Sequence, residues 1–148
     1  MDSEVIFKLA NTLALLGWLL LIASRWIRAL RFLVTAAVVP LLLGVAYVIM
    51  VVLEMPKADG GFDSLAGVMT LFENPRMVLV GWLHFLAFDL LIGTWIWQDA
   101  ERKGVPWLAA LPALFFTFLF GPAGFLLYIL IRAGVSRSFH AEFPAPAK

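Results

Sequence analysis

Two ionisable residues interrupt an otherwise apolar stretch, "GWLHFLAFDLLIGTWIWQDAER", which runs from Gly81 to Arg102. They are His84 and Asp89. An imidazole and a carboxyl group are the ordinary partners of general acid–base chemistry, each able to give or take a proton. A charged carboxylate at the centre of a bilayer costs at least ~2.5 kcal/mol, so ionisable side chains there mark function by default. Protonation or a buried partner relieves that cost. Five residues apart on a helix, the two lie roughly 140° around and ~7.5 Å along the axis. That spacing excludes the face-sharing i, i+4 pair, and two such residues alone do not make a metal site. They can flank a substrate or bridge through water. The alternative is structural, each hydrogen-bonding to a neighbouring helix and fixing its packing.

The elements that must position them follow from composition. The chain has 148 residues, 63% hydrophobic and 14% charged, more apolar surface than a soluble domain of this size can hide. Four runs reach the ~20 apolar residues that a bilayer span needs: Val5–Ser24, Phe32–Leu53, Met77–Trp97 and Pro106–Ile131. The expected fold class is therefore all-α integral membrane, a four-transmembrane-helix bundle. One membrane domain is expected over residues 1–135, with a polar C-terminal tail over 136–148. Between spans two and three, "DSLAGVMTLFENP" carries its own signals. Asp63 or Ser64 can cap a helix, Leu65, Val68, Met69 and Phe72 recur on one face, and Asn74-Pro75 stops it. Too short to span, this helix is expected to lie at the interface, with Gly60-Gly61 as a hinge.

Arg25, Arg28 and Arg31 crowd the first connector, and Arg102 and Lys103 the third, which places both in the cytoplasm. Both termini then fall outside, with Arg76, Arg132 and Arg137 on that opposite side. The N-terminal "MDSEVIFK" has no basic n-region, cleavage site or Arg- and Ser-rich character. The expectation is a retained first span, as in a bacterial inner-membrane protein.

Depth counting supplies companions for His84. Asn11 in the first span lies near its level, and Tyr47 in the second is close. Gly121-Pro122 interrupts the fourth, where Pro122 removes a backbone hydrogen bond and frees the carbonyl near Phe118. Glu54, Lys57, Asp59 and Arg76 read as solvated flanks, and Asp99, Glu101, Arg102 and Lys103 as a cytoplasmic turn. Trp82, Trp95, Trp97 and Trp107 suit aromatic belts. The Ala36, Pro40, Gly44 stripe allows close helix contact.

Several function classes are excluded. A net charge of +1 gives no argument for nucleic acid. With no cysteine there is no thiolate chemistry or cysteine-ligated cluster, and two histidines are too few for histidine-rich di-iron sites. Nucleophile elbows, phosphate loops and zinc spacings are missing. What remains is an acid–base pair in an apolar setting, suited to a lipid-soluble substrate.

The stretch from Gly60 to Arg132 resembles the abscisic-acid-deficient-4-like family, small four-helix membrane proteins whose plant members are required for neoxanthin synthesis. Trp82, His84, Phe85, Ala87, Phe88 and Asp89 carry its W-x-H-[FY]-x-A-F-D core, and Phe120–Gly124 its F-G-P-A-G motif. The first two spans are similar in hydropathy alone. The resemblance implies work on a carotenoid or other isoprenoid lipid: opening of a 5,6-epoxide with loss of a proton, or a double-bond isomerisation, without net redox change and so without a cofactor. His84 and Asp89 would be catalytic, with Asn11, Tyr47, Trp82, Phe85, Phe88, Phe120 and Pro122 binding the substrate. Membrane lipids are expected partners, as is a second copy in a homo-oligomer. Two alternatives stand beside the isomerase: a non-catalytic lipid-binding partner of another enzyme, and a small proton-coupled transporter or assembly subunit.

Overall fold

A computed structural model describes residues 2–35 and 37–136. The tail expected over 136–148 lies outside the described residues apart from Ser136, and Ala36 of the small-residue stripe lies outside them as well. Among the described residues the α-helices are α1 (Ser3–Ala23), α2 (Arg31–Thr35), α3 (Val38–Glu54), α4 (Leu65–Glu73), α5 (Pro75–Lys103), α6 (Trp107–Phe120) and α7 (Pro122–Ser136), joined by turns and irregular connectors. Among the described residues, three stretches are long and apolar enough to cross a membrane: Ser3–Ala23, Arg31–Lys57 and Pro75–Lys103. The first and third expected spans thus appear as single helices. The second is interrupted where Ala37 adopts a left-handed backbone, φ 50°, between α2 and α3.

The fourth expected span requires correction. Pro106–Ile131 is not one helix but two, α6 and α7, separated at Gly121. Gly121 sits at φ 36°, ψ −89°, a conformation that disfavours any side chain, and the following Pro122 has no amide hydrogen to continue the ladder. Proline is at home in the first turn of a new helix, which is where Pro122 stands. Of 14 and 15 residues, the two helices are each only about 21–23 Å long at ~1.5 Å per residue.

By its contacts the chain forms two compact units, residues 1–91 and residue 92 onward, with the boundary inside α5. In the first, α1, α3, α4 and the first half of α5 pack around Ala14, Leu43, Leu71, Val80 and Leu83. α3 and α5 are antiparallel, since Glu54 at the end of α3 meets Arg76 at the start of α5, Oε1 to Nη1 at 2.9 Å. Glu54 is buried rather than a solvated flank, because the guanidinium compensates its charge. The Ser64 hydroxyl accepts from the Gly67 amide and caps α4, and Asn74 closes it. Leu71 is buried beneath this helix, while Phe62, Leu65 and Met69 present an apolar stripe outward. Gly60, at φ 93°, lies against the backbone of Gly67 and Leu71, so a side chain there would collide with α4.

In the second unit, Asp99 and Arg132 are each fully buried. Both the Tyr128 hydroxyl, at 2.7 Å, and Arg132 Nη1, at 3.1 Å, donate to Asp99 Oδ2, and Arg102 Nη2 stands 3.7 Å from Oδ1. Trp95 packs on the rings of Phe125 and Tyr128 at 5.5 and 5.7 Å. Successive residues of α5 therefore meet successive residues of α7, which makes the two parallel and α6–α7 a hairpin. Two expectations fall with this. Asp99 is no solvated turn residue, and Arg132 lies beside Arg102 rather than across the membrane from it. The hairpin is tight at Gly124, where a side chain would strike the backbone of Ala113 and Thr117.

Candidate functional site

The nine residues nominated from sequence separate into three places. His84 and Tyr47 meet where α5 crosses α3, their rings edge-on at 5.3 Å. Phe88, one turn further along α5, stacks on the imidazole at 4.6 Å. These three share a side of α5 because 84 and 88 are i, i+4. Asn11 meets Trp82 on a different side, toward α1. The Trp82 indole N–H donates to Asn11 Oδ1 at 3.2 Å, and Asn11 Nδ2 donates to the Phe7 carbonyl at 2.7 Å. Phe7 and Phe85 flank the indole at 5.6 and 5.7 Å. Phe120 and Pro122 belong to the second unit, at the break between α6 and α7.

Asp89 falls, by helical spacing, on the side of Trp82 and Phe85, i+7 and i+4 from them, and not on that of His84. The environments differ accordingly. His84 is exposed on the surface of the unit, whereas Asp89 is 8% exposed and its Oδ2 has no hydrogen-bond partner among the described residues. A carboxyl oxygen left without a partner in a dry interior is costly, and the cost is smallest when the group is neutral.

Beside His84, α3 and α5 diverge to leave a groove of about 470 Å³. Pro40, Gly44, Val48 and Ile49 form one wall, Ala87 and Leu91 the other, with Tyr47 and Phe88 at the end nearest His84. Its lining is almost wholly apolar and it opens on the surface of the unit, where Leu41, Val45, Val48 and Phe88 are all more than half exposed. Sequence reasoning missed this groove. Gly44, read as a close-packing residue, has open space where a side chain would stand, and that space belongs to the groove. The residues of the second unit's polar cluster were also missed as a set. The i, i+4 spacing of Tyr128 and Arg132 was the available signal, since it puts a hydroxyl and a guanidinium on one helix face.

A model of the ABA4-like family, described as ABA DEFICIENT 4-like, matches residues 5–128. The chain belongs to that family. The match takes in α1 and α3 as well as the stretch from Gly60 onward, so the family relation extends to both walls of the groove. Comparison with curated proteins and with solved structures gives no match.

Proposed function

We propose that this ABA4-like protein takes a carotenoid or other isoprenoid from the bilayer into the groove between α3 and α5 and isomerises it, opening an epoxide or shifting a double bond. The observation that carries this is the position of His84. Its imidazole stacks on Phe88 and meets Tyr47 edge-on, and those two rings line a groove whose other walls are hydrocarbon. A long apolar chain gains ~25 cal/mol for each Å² it removes from water, but almost nothing on moving from lipid to an apolar groove. Recognition therefore rests on shape along α3 and on a polar end group placed near His84 and Tyr47.

For epoxide opening, the ring oxygen takes a proton and becomes a hydroxyl as the carbon–oxygen bond breaks. A proton then leaves a neighbouring carbon as the new double bond forms, so one proton enters, one leaves and the oxidation level is unchanged. His84, held against the groove-lining Tyr47 and Phe88, handles one proton, and Asp89, buried on another side of α5, is the second proton-handling residue. The test is pigment chromatography after expression in a carotenoid-producing host. Product is expected from the wild type, with loss on His84→Ala and a strong reduction on Asp89→Asn. Unchanged product from folded His84→Ala protein would sink the proposal.

The separation of His84 from Asp89 favours one further reading, in which the groove binds the lipid and presents it to another enzyme. Purified protein that keeps a coloured ligand but leaves it unaltered over many hours would favour that carrier role over the isomerase.

A further inference from the structure

We infer that α6 and α7 form a re-entrant hairpin, which enters the membrane from the face of the α5–α6 connector and returns to that same face. Asp99 lies one turn before the end of α5, and Arg132 one turn before the end of α7. Their ion pair at 3.1 Å brings the two helix ends to one level. Only three residues, 104–106, separate the end of α5 from the start of α6, which therefore begins near that level too. Both open ends of the hairpin therefore share a membrane face, and its tip at Gly121 lies the length of α6 away.

The tip stops inside the hydrocarbon. About 21 Å of helix does not cover a core ~30 Å thick. No charged residue occurs between Trp107 and Ile131, and the tip residues Leu119 and Phe120 are 42% and 58% exposed. A turn emerging into water would carry polar residues, whereas this one offers aromatic and aliphatic surface to lipid. Non-helical backbone is tolerated at that depth only when it is buried in protein. The irregular residue, Gly121, is buried. Its N–H donates to the Thr117 carbonyl at 2.9 Å, and its own carbonyl accepts from the Phe125 amide at 3.2 Å.

The hairpin also changes the charge count. Arg132 joins Arg102 and Lys103 on the face of the α5–α6 connector, where α7 also ends, in place of the opposite side.

The cysteine-free chain permits a direct test with a membrane-impermeant maleimide. Single variants Asp59→Cys, Glu101→Cys, Ala123→Cys and Val135→Cys would be labelled in intact cells and in inverted vesicles, with labelling in detergent as the reference. Expected is labelling of Glu101→Cys and Val135→Cys from one face, of Asp59→Cys from the other, and of Ala123→Cys from neither. Val135→Cys reacting together with Asp59→Cys would make α6–α7 a single crossing, and Ala123→Cys reacting with Asp59→Cys would make it two; either overturns the inference. Should a variant misfold, a side-dependent reporter fused after Lys148 of the unsubstituted chain still tests for a single crossing. Reporter activity on the face of Asp59 refutes re-entry, and activity on the face of Glu101 eliminates the single crossing.

Discussion

Polarity is handled in opposite ways at the two polar places in this apolar chain. Around Asp99, charge is drawn inward: the buried carboxylate accepts from a phenol and from the buried Arg132 on one oxygen, and the exposed Arg102 stands 3.7 Å from the other. Around His84, polarity is left at the surface, held against two rings that line a groove. The first arrangement does structural work, because buried charges whose partners lie on different helices fix the helices. The second leaves a group available to something that arrives from the lipid. A polar residue in a membrane helix is thus informative chiefly through what surrounds it.

The sharpest way to break that contrast is to remove one partner from the closed cluster. Arg132→Met leaves Asp99 buried without its main counter-charge and should cost about 3–5 kcal/mol, read as loss of folded protein in detergent unfolding. The double variant Asp99→Asn, Arg132→Met should recover part of it. Next in size, Gly124→Ala drives a methyl into the backbone of α6, a destabilisation of about 1–3 kcal/mol in the same assay. Gly44→Leu reverses the sign. A leucine replaces glycine in a helix, worth up to about 1 kcal/mol of stability, and it fills the groove. The protein should unfold at slightly higher denaturant while its retention of a co-purifying isoprenoid falls sharply. The smallest stability effect is expected from His84→Phe, within about 1 kcal/mol because ring stacking is kept. Product formation should nevertheless disappear. If His84→Phe destabilised as severely as Arg132→Met, the distinction between an open and a closed cluster would collapse.

Much of the scaffold is legible in the residues because its signals are local. Run length and hydropathy place α1, α3 and α5, Ser64 starts α4, and Asn74-Pro75 ends it. Depth counting along helices also brings Asn11 and Tyr47 to α5, since the rise per residue is fixed. What escapes is set by geometry between helices. Hydropathy does not distinguish a span from a hairpin of the same composition, so Gly121-Pro122 reads as a kink. Glu54 and Asp99 read as solvated because burial of a carboxylate depends on an arginine many residues away. The groove is invisible for a related reason. It is an absence of side chains between two helices, and the glycine that leaves room for a lipid is the same residue that would let helices touch.

The uncharged run from Trp107 to Ile131 has a consequence for biosynthesis. It is longer than the ~20 residues that suffice for insertion as a complete span, so nothing in its apolarity tells the insertion machinery to turn it back. That instruction lies in Gly121-Pro122 and in Arg132, which leaves the ribosome after every other member of its cluster. Asp99 and Arg102 must already wait at the end of α5 when Arg132 emerges. The hairpin is therefore the last part of the described chain able to close, and the residue that closes it is among the last to be made.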